Sequence, residues 1–406
     1  MQSKSVPMNK KRRGAILRLY DYLTSLPMLD IPFLIIVLML LGVGLAMLFS
    51  AGFAQSLFKT GSSYTYIIKQ SLFAVFGVVV MLVVSTINQN AYKRLILPFY
   101  VLCTVLLIVV LIVSKDSEKR WLYIGSFQFQ PSEFAKLAVV LFLAQYISAY
   151  RDKMDKFVSG ILIPGAIFAL PCLLVAVETH LSGAILIFLI GATLTFVGGS
   201  KIKYILTVAG LGVGGASLLV FFTTYMQKRI TVWLHPESDP IGDGFQPLQS
   251  LLTIGSGGLF GLGYGKSRQK YLYLPEPHND FIFSVISEEL GFIGVVVIII
   301  LFALLIWRGI YIAMKARDTF SSLVVVGIIS NIAFQIILNL AVVSNSIPTT
   351  GISLPFFSYG GTALVVLLAE IGLVLNISRY ANIDRGTQPL PDPEEKEGEN
   401  TEVEQK

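Results

Sequence analysis

Charge is what this chain has least of. Only 14% of its 406 residues are Asp, Glu, Lys or Arg, and 54% are hydrophobic. A soluble domain carries roughly 25% charged residues, so that balance, with a mean hydropathy of +0.72, excludes a soluble enzyme and indicates an integral membrane protein. Cysteine is nearly missing. Cys103 and Cys172 lie inside apolar runs as small fillers, which excludes a disulfide framework or a zinc site. No repeat appears at solenoid periods, and no HxxxH or HxxE spacing argues for a protein-only metal site. A nucleotide loop is also wanting. The segment ending GYGKS imitates one, but Phe260 stands where the pattern needs glycine.

What is there is a series of apolar runs long enough to cross a bilayer, which takes about 20 residues each. The spacing predicts ten helices, at 31–52, 67–87, 95–114, 132–150, 159–177, 182–199, 203–226, 281–307, 319–341 and 354–378. Ten spans put both termini on one side. Lys10, Lys11, Arg12 and Arg13 in the N-terminal arm agree with alternate short loops carrying Lys93/Arg94, Arg151/Lys153/Lys156, Lys201/Lys203 and Arg308/Lys315/Arg317. By the positive-inside rule both termini are cytoplasmic. The net charge of +6 is therefore spread along the inner face, where anionic lipid explains it better than nucleic acid does.

Three regions result. Residues 1–30 form a basic arm, with 14–29 amphipathic at the membrane surface, and 31–381 form an all-α membrane domain. Residues 382–406 are an acidic tail with almost no large apolar groups, expected to be disordered. A long outward loop at 227–280 separates the seventh and eighth helices. Its apolar and glycine-rich content predicts ordered, re-entrant or amphipathic structure.

The candidate chemistry gathers on outward segments. Asp280 stands at the mouth of an apolar helix, with Glu288 and Glu289 about two turns further in, ~12–14 Å at 1.5 Å per residue. Acids carried into a membrane segment face a water-filled cavity or a cation, and one of them can take a proton from a hydroxyl. The plain alternative for Asp280 is a helix cap. Ser284 and Ser287 continue a polar stripe behind it, and His278 beside it reads as a hydrated loop histidine. Glu133 and Lys136, three apart after Pro131, share a helix face and can pair. With Arg120, Lys136 can clamp a diphosphate; the alternative is an ion pair that only packs helices. Asn331, Gln335 and Asn339 recur every four residues, which suits interhelical hydrogen bonding. PTTGISLPFFSYGG at 348–361 reads as a broken helix end lining a cavity.

Taken together, RWLYIGSFQFQPSEFAKLA at 120–138, HLSGAILIF at 180–188, the stretch from GDGFQPLQ to SEELG at 242–291 and IPTTGISLPFFSYGGTALV at 347–365 resemble the SEDS family (FtsW/RodA/SpoVE). The likeness runs over about 30–380 and leans to the FtsW/SpoVE branch. Departures are PHND, where many relatives have Thr before the Asp, and ETHLSG at 178–183, where others carry a Pro-Asp-Leu-Gly run. The resemblance implies a ten-helix fold and a peptidoglycan polymerase acting on lipid II by inverting β-1,4 transfer in the bacterial cytoplasmic membrane. The family's catalytic acid falls on Asp280. Its polar substrate-binding positions fall on Arg120, Gln130, Glu133, Lys136, Gln246, Glu276, His278, Glu288 and Glu289. A class B penicillin-binding protein and divisome proteins are the implied partners, and a divalent cation, Mg or Mn, is a candidate to share the diphosphate's charge. A flippase for the lipid-linked precursor explains the helices and intramembrane charges equally well, although the internal inverted symmetry of many transporters is not apparent.

Overall fold

The computed structural model describes residues 27–113, 120–124, 127–178, 180–204 and 224–381, with scattered positions between 205 and 223. The basic arm, apart from 27–30, and the acidic tail lie outside the described residues. Helices account for most of what is described: α1 Ile31–Thr60, α2 Thr65–Val84, α3 Ile96–Val113, α4 Pro131–Ala149, α5 Ile163–Val177, α6 Leu181–Val197, α7 Thr224–Leu234, α8 Phe245–Ser256, α9 Ile282–Met314, α10 Thr319–Val343 and α11 Gly361–Tyr380. A π-helical turn, Val158–Leu162, leads into α5. Among the described residues eight segments are long and apolar enough to cross a membrane, and α6 is a shorter apolar helix. The span expected at 203–226 falls largely outside the described residues. An unexpected hairpin, β1 Leu122–Ile124 with β2 Phe127–Phe129, precedes α4.

Burial separates an inner group of helices from an outer one. Of the most apolar stretches, 61% is buried in α4 and α10 and 72% in α11, against 22% in α2 and 28% in α3. Polar groups go to that interior because lipid offers them no partner. At one end of the bundle Asp30 caps α1 through Phe33 N (3.0 Å) and takes two bonds from the Arg308 guanidinium (3.1 and 2.8 Å), while Arg379 donates to Pro27 O (2.6 Å). The start of α1 and the ends of α9 and α11 are thus tied together.

The expected eighth span is broken. Gly291 adopts φ 66°, ψ −171° inside α9, a conformation that disfavours side chains. A β-carbon there would lie 2.2 Å from Gly261 N. The glycine-rich strand of the outer loop fills the gap: Leu262 N and Gly263 N donate to Glu288 O and Glu289 O, while Phe292 N and Ile293 N donate to Gly258 O and Leu259 O (2.9–3.1 Å). The loop supplies the partners that the interrupted helix loses.

Candidate active site

Asp280 arrives on a short loop fixed from behind. Asn339 Nδ2 donates to Asp280 O (2.9 Å) and to Ile352 O (2.6 Å), Ser358 Oγ to Asn279 O (2.7 Å), and Tyr359 N to His278 O (2.8 Å). The loop before α9 and the irregular 348–360 segment before α11 are therefore stitched into one unit. As expected, 348–361 is a broken helix end, with α11 starting only at Gly361. The capping alternative for Asp280 fails, because Phe281 holds the cap position of α9 and no side chain caps it.

The Asp280 carboxylate meets cationic charge across a glycine. A β-carbon on Gly351, which has φ +68°, would lie 3.3 Å from Asp280 Oδ2 and 3.9 Å from Arg120 Nη1. Acid and guanidinium thus flank the same backbone spot. The strand holding Gly351 is anchored by Ser182 Oγ on Thr350 O and by Arg229 Nη1 on Thr349 O (2.9 Å).

Behind this pair a polar seam enters the bundle. His180 Nδ1 lies 3.2 Å from Gln130 Nε2 and 3.4 Å from Ser132 Oγ. Burial, then the charges of Arg120 and Lys136, push His180 down to about 3, so it is neutral and both cations bear on one site. Lys136, only 2% exposed, pairs with Glu133 at 2.9 Å, as the three-residue spacing requires. Glu133 also lines a cavity with Asn331, Gln335, Ser353 and Glu370. Asn331 Nδ2 donates to Glu370 Oε2 on α11 (3.2 Å), the expected interhelical bond, but Gln335 Nε2 donates to Asn331 Oδ1 within α10 (3.1 Å) and Asn339 binds loop carbonyls, so only Asn331 meets that expectation. Sequence reasoning missed His180, Glu178 and Glu370. Glu370, a lone acid in the apolar run of α11, had the clearest signal. Buried Glu178, just past α5, is pushed up to about 8 by desolvation.

Two expectations need correction. His278 is not hydrated: it is 3% exposed, stacks on Tyr66 (centroids 4.6 Å apart) and faces Glu276 at 3.7 Å. Burial, then the Lys59 charge, pull it down to about 4, partly countered by Glu276. Burial raises Glu276, but His278, Lys59 (3.1 Å) and Gln55 (3.2 Å) more than offset this and hold its carboxyl below the usual range.

Glu288 and Glu289 do not extend the Asp280 surface. Glu289 accepts from Ser50 Oγ (2.6 and 2.8 Å), Lys270 Nζ (3.0 Å), Gly265 N (3.0 Å) and Ser267 N (3.2 Å); Glu288 accepts from Ser267 Oγ and from Arg268 N at 3.1 Å. They anchor the 265–270 loop. The polar stripe is likewise engaged elsewhere, Ser284 with Ser250 (2.8 Å) and Ser287 with Phe283 O (2.8 Å). Gln246 lines a separate outer pocket with Arg229, Trp233 and Thr349.

Known proteins share both the sequence and the fold of this chain. The FtsW/RodA/SpoVE model, described as cell cycle protein, matches residues 32–383. Stage V sporulation protein E of Bacillus subtilis (strain 168) is 41% identical over 356 residues, covering 87% of this chain and 97% of that protein. A probable peptidoglycan glycosyltransferase FtsW of Geobacter sp. (strain M18) is 37% identical, covering 86% and 96%. Among solved structures, a chain from a peptidoglycan synthase complex that coordinates polymerization and crosslinking superposes with TM-score 0.74 at 27% identity, covering 88% of this chain and 99% of its own. The rod shape determining protein RodA of Thermus thermophilus gives 0.66 at 27%, covering 88% and 98%. These relatives favour glycosyl transfer over lipid flipping. The chain belongs to the FtsW/RodA/SpoVE family of cell cycle proteins and is a multi-pass membrane peptidoglycan glycosyltransferase.

Proposed function

We propose that the chain polymerises lipid II in the bacterial cytoplasmic membrane, with both termini cytoplasmic and the active site at the outer-leaflet boundary. Asp280 takes the proton from the 4-hydroxyl of the acceptor GlcNAc. That oxygen attacks C1 of the donor MurNAc from the side opposite the diphosphate, the C1–O bond to the diphosphate breaks, and the centre inverts to a β-1,4 link. The leaving group departs with its electron pair as a lipid diphosphate, so positive charge is needed where it separates. Arg120 at the rim and Lys136 behind it supply that charge. One observation carries this reading: Asp280 Oδ2 and Arg120 Nη1 flank Gly351 at the mouth of a buried polar seam.

Among the described residues no three of His, Cys, Asp and Glu converge as a metal cage. A divalent cation, Mg or Mn, would instead be held chiefly by substrate phosphate oxygens and water, the usual mode for Mg. It would add Lewis-acid charge at the diphosphate. A class B penicillin-binding protein is the expected partner, in keeping with the synthase complex that this fold resembles, and divisome proteins are expected to place the pair at the septum. The test is polymerisation of lipid II by purified protein with its transpeptidase, as wild type and as Asp280→Asn, with and without chelator. Wild-type glycan strands that disappear in the variant are expected; equal product from both removes Asp280 as the base.

A further inference from the structure

A second pocket, of ≈ 380 Å³, opens on the outer side between α7, α8 and the turn after α10. Its walls include Arg229, Trp233, Asp243, Gln246, Asn345 and Thr349. It is built rather than incidental. Trp233 Nε1 donates to Asn345 O (3.0 Å), Asn345 Nδ2 donates to Trp233 O (3.3 Å), and Arg229 reaches Thr349 O. Asn345 takes a positive φ of 53° there, and its Oδ1 is left buried without a hydrogen-bond partner. An amide oxygen in that state asks for a donor. The pocket's volume falls within the roughly 300–1,000 Å³ of small-molecule sites, towards the lower end.

The chemistry of the lining selects among ligands. Asp243 is already neutralised by Lys228 at 2.7 Å, which leaves a flat indole, amide groups and one guanidinium. A bare diphosphate gains little from such walls. An N-acetylated sugar suits them: the ring's apolar face meets Trp233, hydroxyl and amide groups meet Gln246 and Asn345, and a lactyl or peptide carboxylate meets Arg229. Position gives the second argument. Pro275 and Thr349 both line this pocket, and the same two strands lead directly to Asp280 and Gly351. An oligosaccharide lying here would run along those strands to the proposed base.

We infer that this pocket holds the saccharide chain beyond the reacting sugar, a glycan subsite distinct from the lipid-diphosphate seam. The inference rests on the polymerase reading above and deepens it. The probe is a soluble, lipid-free oligosaccharide of alternating GlcNAc and MurNAc, its binding to the full-length purified protein followed by saturation-transfer NMR. Wild type and Asp280→Asn are expected to bind alike, and Gln246→Ala and Trp233→Ala to weaken binding by about tenfold. In lipid II polymerisation the two pocket variants should make shorter strands. Trp233→Phe, which keeps a ring, should recover length and so guards against a folding defect. Unchanged binding and strand length in Gln246→Ala and Trp233→Ala overturn the subsite even if Asp280→Asn is inactive. Strand synthesis by Asp280→Asn overturns the base assignment without touching the subsite.

Discussion

Two acid clusters, nine residues apart from Asp280 to Glu289, meet opposite fates. Around Asp280 the backbone is fixed by Asn339 and the 352–359 strand, while the carboxylate is set across Gly351 from Arg120. Around Glu289 the side chain itself is fixed: four donor groups converge on a carboxylate that is 1% exposed. Loop anchoring at the first site runs through the backbone, by Asn339 on Asp280 O and Ser358 on Asn279 O; at the second it runs through the carboxylate itself. A carboxylate saturated by backbone N–H groups and a buried ammonium has no lone pair to offer a substrate. The second cluster holds the outer loop, which leaves the first as the one proposed for chemistry.

The widest split should come from conservative substitutions in each cluster. Asp280→Asn is expected to lower polymerisation about 10²–10⁴-fold with the protein still folded, because the substitution is isosteric and the loop backbone keeps its bonds to Asn339 and Ser358. Glu289→Gln should do the reverse. It leaves the Lys270 ammonium, 2% exposed, without its counter-charge, and breaking a buried pair costs about 3–5 kcal/mol. Protein yield and melting temperature should fall, and Glu289→Gln combined with Lys270→Met should recover part of the loss. A stable Glu289→Gln protein with low activity would merge the two clusters into one site.

Gly291→Ala should have the next largest effect. It forces a side chain into positive φ against the backbone at Gly261, so the loop–helix seam should open. Proteolysis within 257–270 is the measurement, with faster cleavage expected in the variant while Asp280 chemistry is only partly reduced.

Much of this was legible in the chain. Helix lengths followed from apolar runs, the Glu133–Lys136 pair from a three-residue spacing, and the irregular strand before α11 from two prolines and three glycines. What could not be read depends on partners far away in sequence. Glu289 is set by Ser50, 239 residues earlier, and His278 is buried only because Tyr66 and Tyr359 close over it. The break at Gly291 sits in a run whose local pattern is helical, and only the loop at 258–263 makes it affordable.

The smallest predicted effect concerns pH and separates the loops rather than the acids. His180 and His278 have folded-state values near 3 and 4 against an ordinary 6.5. The unfolded chain therefore binds more protons below 6.5, and stability is lost as pH falls from about 6.5 through that range. Glu178 works the other way. Raised to about 8 from 4.5, it adds stability at low pH that is lost as pH rises towards 8. The two histidines thus contribute a slope that climbs with pH up to about 6.5, and Glu178 one that declines towards 8; melting in detergent from pH 4 to 9, compared between wild type and variants, separates them. His278→Gln should flatten the acid side and Glu178→Gln the alkaline side, each leaving the other slope in place. If one substitution flattened both sides, the His278 loop and the α5–α6 turn would be a single coupled unit instead of two independent supports of the Asp280 rim.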